Sequence, residues 1–342
     1  MGWKMGWVLA MMVWVGCMQV PVGVGESEEV GGEGVEAREV FRGSRVLMGT
    51  RFEIRVVGTD RDRAERAMAA AFAEVARVEA LLSEWRGESE ISEVNRRGGS
   101  GPVEVGPELL EVLWRAIEVA ALTGGAFDPT FASCGHLYSF REERIPTEEE
   151  LEECLPRIGY EAVEVDRERS TVTLSGEGVR LGIGGIGKGY GVDQAAAVLR
   201  ARGFRDFLVD GGGDLLVAGM KRGRPWEVGV ADPRRPGEVL TRVVVRDRAV
   251  VSSGDYERYF ERDGVRHHHI LDPATGRSAS RSVAVTVVAG DATMADALST
   301  GLFVLGPEQG LAVVEELEGV EALFVGADLE VVMSTGMGRH VE

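Results

Sequence analysis

A glycine-rich segment in the middle of the chain constrains the fold more than any other feature. From Gly182 to Gly189 the chain reads GIGGIGKG, between a predicted hairpin and a predicted helix. Glycines let backbone amides approach a phosphate closely, and a helix N-terminus adds partial positive charge. The segment therefore predicts contact with a diphosphate-bearing ligand, with Lys188 as a nearby cation. The alternative is a tight structural turn that exposes this lysine.

Two familiar nucleotide-binding motifs overlap in this segment, and each departs from its usual context or consensus sequence. The pattern G-x-G-x-x-G from Gly182 to Gly187 is typical of a dinucleotide-binding fold. However, it follows a hairpin in mid-chain rather than the first strand of a βαβ series. The pattern G-x-x-x-x-G-K resembles an NTPase phosphate loop, but Gly189 occupies the position of the Ser or Thr that would bind magnesium. The sequence therefore disfavours both motifs.

Hydrophobic periodicity predicts an α+β protein. Spacings of three and four predict helices at residues 61–82, 107–123, 190–202, 292–305 and 307–317. Strands are predicted at 45–57, 163–174 (as a hairpin), 207–209, 215–217, 226–230, 240–245, 267–271 and 283–288, with two more at the end. Strands and helices do not alternate strictly, and no repeat or internal linker is evident. We therefore predict a single domain, residues 41–342, of mixed, mainly antiparallel sheets with packed helices.

The N-terminal residues resemble a bacterial export signal. Lys4 precedes an apolar run from residue 5 to residue 15, which ends at Gly16-Cys17. This run is too short to span a bilayer as a mature helix. We predict a signal peptide at residues 1–17 with a lipobox-like Cys17, and a flexible tether at residues 18–40. The expected location is the periplasmic side of a bacterial membrane, with a lipid on Cys17 as the anchor. A cleaved signal peptide without lipid and an uncleaved anchor remain alternatives.

The net charge of the chain limits which classes of partner are expected. The formal net charge is −18, from 56 acidic and 38 basic residues, which argues against attraction to phosphate backbones. Nucleic acid is therefore not an expected partner.

Cys134 and Cys154 could pair in an oxidising compartment or remain free thiols, and the sequence leaves both alternatives open.

Asp296 and Thr300 form a candidate metal-binding pair. They are four residues apart in a predicted helix, so their side chains project from one face. Two hard oxygens there can share a magnesium ion with ligand phosphates and water. The alternative is an acid near a helix start and a threonine that bonds back to its own helix.

Three consecutive histidines, His267 to His269, suggest a zinc site at first sight. Neighbouring side chains on a strand point to opposite faces, and no Cys or Glu at ligand spacing supports these histidines. One histidine acting as a general base fits better, because imidazole titrates near neutral pH.

Eight short motifs follow one another along the chain. They are Met48-Gly49-Thr50; Ser89-Glu90-Ile91-Ser92 with Asn95; Gly125-Ala126-Phe127-Asp128-Pro129-Thr130; Gly184-Gly185-Ile186-Gly187-Lys188-Gly189-Tyr190; Gly212-Gly213-Asp214; Ser253-Gly254-Asp255-Tyr256; His269-Ile270-Leu271-Asp272-Pro273 with Thr275-Gly276; and Ala295-Asp296-Ala297 with Thr300. In this order they resemble the ApbE family of FAD:protein FMN transferases, over about residues 46–334. Each motif is weak by itself, and the order makes the resemblance specific.

The resemblance implies an α+β domain that uses Mg²⁺ and FAD. Such an enzyme moves FMN from FAD to a threonine hydroxyl of an exported protein and releases AMP. By position, the implied FAD-binding residues are Met48, Trp85, Ala126, Phe127, Asp128, Lys188 and Leu271. The implied metal ligands are Asp296, Thr300 and the carbonyl oxygen of Gly185. The implied catalytic residues are His269, as a base or a neighbour of the isoalloxazine, and Asp296. Trp85 stands where the family often has a Tyr that stacks on adenine, and its larger π-face can do the same.

One departure from the family pattern bears on activity. The family loop often has Asp two residues before the paired glycines, where this chain has Gly182. The lost carboxylate could weaken nucleotide orientation or turnover, and Asp210 is a candidate substitute. Two other functions therefore stay open: an FAD pyrophosphatase that produces FMN and AMP, and a non-catalytic flavin-binding lipoprotein.

Overall fold

The computed structural model describes residues 38–341. The predicted signal peptide, Cys17 and nearly all of the predicted tether lie outside the described residues. The tether was predicted to run to residue 40, but Glu39 and Val40 already belong to the first strand. The folded part therefore begins two residues earlier than predicted.

Seven helices and fifteen strands make up the described part of the chain. The helices are α1 Arg61–Leu82, α2 Glu90–Arg96, α3 Pro107–Leu122, α4 Ala132–Gly135, α5 Glu148–Cys154, α6 Gly187–Ala201 and α7 Ala292–Glu315. The strands are β1 Glu39–Leu47, β2 Thr50–Gly58, β3 Val103–Glu104, β4 Val163–Asp166, β5 Thr171–Leu174, β6 Phe207–Gly211, β7 Asp214–Ala218, β8 Trp226–Ala231, β9 Val239–Val245, β10 Arg248–Gly254, β11 Tyr259–Arg262, β12 Val265–His268, β13 Ser282–Ala289, β14 Glu321–Gly326 and β15 Val331–Met333. Short 3₁₀ turns occur at Pro129–Phe131, Leu155–Arg157, Tyr160–Ala162 and Met337–Arg339.

One large sheet organises the fold. It has eight strands in the order β1-β2-β6-β7-β10-β13-β14-β15, beside three smaller sheets, β3-β5-β4, β8-β9 and β11-β12. Every strand pair within residues 38–341 is antiparallel. This confirms the predicted α+β class of mainly antiparallel sheets with packed helices. It also excludes a doubly wound dinucleotide fold, which requires parallel strands.

Both faces of the large sheet are covered. Helices α1, α6 and α7 pack together, and α7 lies against β10 and β13. The β8-β9 hairpin covers the other face through an apolar cluster around Trp226. All eight residues of β13 are consequently buried. Within the described residues, α7 is the one helix long and apolar enough to cross a membrane, but here it is a core helix. Gly306, with φ of 79°, interrupts α7 where two separate helices were predicted.

Two predicted strands were wrong in extent. Residues 45–57 form parts of two strands, because Met48 and Gly49 adopt φ of 50° and 71° and turn the chain between β1 and β2. Methionine seldom adopts positive φ, so this turn has a weak sequence signal. The predicted strand at 267–271 stops at His268. There the Ser278 hydroxyl accepts from the His268 amide at 2.9 Å and donates to its carbonyl oxygen at 2.8 Å.

The two cysteines left open by the sequence are paired. Cys134 in α4 and Cys154 at the end of α5 form a disulfide, with their Cα atoms 5.3 Å apart. Both are buried, and Leu151 packs beside them. The disulfide thus ties α4, which follows the Pro129–Phe131 turn, to α5.

Candidate active site

A cavity of about 590 Å³ opens where several distant chain segments meet. Its walls come from the β1-β2 turn, the loops after α1 and α3, the glycine segment, the loops that follow β10 and β12, and α7. All eleven residues predicted for the site line it: Met48, Trp85, Ala126, Phe127, Asp128, Gly185, Lys188, His269, Leu271, Asp296 and Thr300. Its volume is in the range of cavities that bind small molecules and cofactors.

The three predicted metal ligands are adjacent at one end of this cavity. Asp296 is buried, and Thr300 lies one turn further along α7. A Cβ atom on Gly185 would lie 3.0 Å from Thr300 Oγ1, so only a glycine lets the backbone come this close. The site thus offers two side-chain oxygens, with the backbone of Gly185 directly beside Thr300. This donor set fits Mg²⁺, which prefers oxygen ligands and keeps positions for water or phosphate.

Gly189 joins the glycine segment to this end of the cavity. Its amide donates a hydrogen bond of 3.0 Å to Asp296 Oδ2. A Cβ atom at this position would lie only 2.2 Å from the carbonyl oxygen of Ala292. The close contact between α6 and α7 therefore requires glycine here. The serine or threonine of an NTPase phosphate loop could not occupy the position, which rules out that interpretation.

Lys188 is held by a carboxylate that we did not predict as a site residue. Its Nζ lies 2.5 Å from Asp214 Oδ2 and 3.8 Å from Asp296 Oδ1. Burial alone lowers the pKa of Lys188, but the charges of Asp214 and Asp296 outweigh burial and raise it. The lysine is therefore an ammonium ion. Asp214 belongs to the quoted Gly212-Gly213-Asp214 motif, but only the fold shows that the start of β7 lies beside the start of α6.

The three histidines face different surroundings. His269 lines the cavity, and burial, followed by the positive charge of Arg258, lowers its pKa to about 3. Its Nδ1 is buried without a hydrogen-bond partner among residues 38–341. His268 points into the core and its Nε2 lies 2.8 Å from the carbonyl oxygen of Ala279, whereas His267 stacks on Phe260. The described residues contain no group of three or more potential zinc ligands.

The remaining predicted FAD contacts differ in their availability to a ligand. Trp85 is 84% exposed at the cavity rim, whereas Phe127 is buried in the wall. Both carboxylate oxygens of Asp128 are already occupied. One accepts from the amide and hydroxyl of Thr130, at 2.7 and 2.6 Å, and the other accepts from the amide of Tyr160 at 2.8 Å. Asp128 therefore stabilises the turn that forms this wall.

A second carboxylate that we did not predict lies at the other end of the glycine segment. A Cβ atom on Gly182 would be 2.7 Å from Glu84 Oε2. Burial raises the pKa of Glu84 to about 7, and the charge of Arg180 acts in the opposite direction. Asp210, the substitute considered from sequence, is not among the residues lining the cavity. Its carboxylate accepts from the amides of Gly212 and Gly213 at 2.9 and 3.0 Å.

Known proteins share this fold and much of this sequence. The model of the ApbE family matches residues 48–324. The FAD:protein FMN transferase of Treponema pallidum is 36% identical over 98% of this chain and 95% of its own length. That of Vibrio cholerae is 36% identical over 68% of this chain and 72% of its own. Solved structures of the Thermotoga maritima ApbE protein and of a Vibrio cholerae flavin transferase both superpose with a TM-score of 0.80. The Thermotoga structure is 34% identical to this chain, and the match covers 88% of this chain and 99% of that one. The Vibrio structure is 30% identical, and the match covers 89% of this chain and 100% of that one.

The fold and the sequence matches together define an enzyme of the transferase class. The chain belongs to the ApbE family. The resemblance to the ApbE family, inferred from the eight ordered motifs, is thereby confirmed.

Proposed function

We propose that this protein is a magnesium-dependent FAD:protein FMN transferase. It would move FMN from FAD to the threonine hydroxyl of an exported protein and release AMP. One observation carries the proposal: eleven residues from distant segments line a single cavity, and its metal-ligand end lies beside Lys188. The printed names of the relatives support the same reaction.

The glycine segment and Lys188 would bind the FAD diphosphate. The amides at the start of α6 carry partial positive charge, and Lys188 adds a full charge whose position Asp214 maintains. Mg²⁺ held by Asp296, Thr300 and the Gly185 carbonyl would neutralise diphosphate charge and stabilise the AMP leaving group. The Asp296 carboxyl group and the Thr300 hydroxyl provide this part of the cavity with the hard oxygen atoms that a divalent cation prefers.

The transfer step exchanges one bond at the FMN phosphorus. The threonine Oγ bonds to that phosphorus, and the bond to the bridging oxygen breaks, so this oxygen leaves with AMP. His269 lies in the cavity wall, and burial lowers its pKa to about 3, so its neutral ring fits the role of an isoalloxazine neighbour, and the threonine proton would pass to the phosphate oxygen of the departing AMP. Lys188 offsets negative charge on the phosphate oxygens.

Incubation with FAD, Mg²⁺ and an acceptor protein tests this function directly. We expect mass spectrometry to find an FMN adduct on a threonine of the acceptor, with AMP formed in equal amount. Free FMN and AMP without a labelled acceptor would instead identify an FAD pyrophosphatase. Tight FAD binding without AMP release would identify a flavin-binding protein, and either result would overturn the proposal.

We also infer that the protein works outside the cytoplasm on a lipid anchor. Lys4, the apolar run and Gly16-Cys17 support export. The Cys134–Cys154 disulfide supports an oxidising compartment, because such bonds are rare in the cytosol. Metabolic labelling with a fatty acid should label the wild-type protein and not Cys17→Ser. Equal labelling of both forms, or no labelling of either, would contradict the lipid anchor.

A further inference from the structure

Glu84 lies in a loop whose backbone is fixed at several points. The loop joins α1 to α2 and turns through a hydrogen bond of 3.2 Å from the Arg86 amide to the Ser83 carbonyl oxygen. The Ser92 hydroxyl donates to the carbonyl oxygen of Glu84 at 3.2 Å, and Ser89 caps α2. These contacts determine where the Glu84 side chain begins. The residue lines the cavity of the candidate active site.

The Glu84 carboxylate fills the space next to Gly182. A Cβ atom at position 182 would lie 2.7 Å from Glu84 Oε2 and 2.9 Å from Ala132 Cβ. A Cβ atom does not approach a non-bonded atom this closely, so a side chain at position 182 and the Glu84 carboxylate compete for one volume. The chain therefore places a carboxylate here from the opposite wall, where the family often has an Asp at position 182.

This carboxylate meets the glycine segment at Gly182, three residues before Gly185. Gly185 belongs to the metal-ligand end, whereas the next residue after Glu84 is the exposed ring of Trp85 at the rim. An aromatic ring on which a base can stack, beside a carboxylate that accepts an amino hydrogen, is a pattern that recognises a nucleobase.

We propose that Glu84 recognises the adenine of FAD, by accepting a hydrogen bond from the 6-amino group while Trp85 stacks on the ring. This inference rests on the proposed function only in naming FAD as the ligand. Burial supports the assignment, because it raises the pKa of Glu84 to about 7 and so marks a carboxyl group that gains from a polar partner. Glu84 thereby replaces the missing side chain at position 182, and Asp210 does not.

The test compares FAD with an analogue whose base is purine, without the 6-amino group. Binding of both is measured by isothermal titration calorimetry with Mg²⁺ and without an acceptor protein. At pH 8, where a carboxyl group with a pKa of about 7 is mostly ionised, we expect the wild-type protein to bind FAD about ten-fold more tightly, as one hydrogen bond to a charged group predicts. In Glu84→Ala the two affinities should become equal within about two-fold, because the partner of the amino group is gone.

A matched control separates recognition from a general effect on the loop. Glu88 lies in the same loop, is exposed and does not line the cavity, so Glu88→Ala should keep the ten-fold preference. Glu84→Gln, whose amide oxygen can still accept, should keep part of it. If Glu84→Ala retains the full preference for FAD, the inference is wrong, whether or not FMN transfer occurs. If the preference disappears as expected but the wild-type protein transfers no FMN, only the proposed function fails. Failure of the wild-type protein to bind FAD would overturn both.

Discussion

The amide of Gly189 donates a 3.0 Å hydrogen bond to Asp296 Oδ2 and so ties the first turn of α6 to α7. This bond leaves Asp296 Oδ1 on the side of Lys188, 3.8 Å from its Nζ. The glycine segment and the predicted metal-ligand pair, which are more than a hundred residues apart, therefore form one unit.

Replacing Gly189 should destabilise the protein. In Gly189→Ala the new Cβ would meet the Ala292 carbonyl oxygen at 2.2 Å, so α6 and α7 must separate. We expect the free energy of unfolding to fall by about 1–3 kcal/mol or more, measured by urea denaturation. Gly184→Ala is the control, because no heavy atom lies within 4 Å of its Cβ position, and it should stay within about 0.5 kcal/mol. Equal stability of the two variants would refute the close contact.

Removal of the Asp296 carboxylate should abolish metal-dependent transfer. We expect Asp296→Ala to lower the rate of FMN adduct formation by about 100-fold or more, since it would lose the proposed metal ligand that stabilises charge in the transition state. The dependence on Mg²⁺ concentration should disappear with it. Glu308→Ala, an exposed acid on the same helix, should keep the wild-type rate. Full activity of Asp296→Ala would remove this residue from the mechanism.

Glu84 should make stability depend on pH. Its pKa is about 7 in the folded protein, compared with an ordinary value of 4.5 in the unfolded chain. Between these values the folded state retains a proton that the unfolded state has lost. The stability contribution of the protonated group is therefore fully present below about pH 4.5 and is lost as the pH rises through about 7.

The neutral variant Glu84→Gln reveals this effect. Relative to wild type, its free energy of unfolding should increase from pH 5 to pH 8 by up to about 3 kcal/mol, and by less where solvent reaches the carboxyl group. Urea denaturation at the two pH values measures the difference, with Glu88→Gln as the exposed control. A difference that does not change with pH would show that the Glu84 pKa is not raised.

His269 should remain neutral throughout the physiological range. Burial and the charge of Arg258 lower its pKa to about 3, so its ring takes up no proton between pH 5 and pH 8. In NMR spectra of the metal-free protein, the ring signal that is lost in His269→Gln should keep a constant chemical shift over this range. A titration midpoint near 6.5 would contradict the buried, unpartnered ring.

Local patterns predicted much of the fold. The apolar spacing at residues 61–82 matches α1 residue for residue, because an amphipathic helix shows its buried face in its own sequence. The hairpin at 163–174 was also correct, although α6 begins at Gly187 rather than at residue 190. The turn between β1 and β2 was missed, because Met48 is not a residue that normally adopts positive φ.

The sequence by itself determined the fold class, the family and eleven of the residues that line the cavity, because periodicity and short motifs are properties of neighbouring residues. Only the tertiary structure decided that Asp214 holds Lys188, that Cys134 pairs with Cys154, and that Glu84 occupies the space beside Gly182. Each of these contacts joins residues at least twenty positions apart. Their proximity depends on how the sheet and helices pack, and no local pattern encodes it.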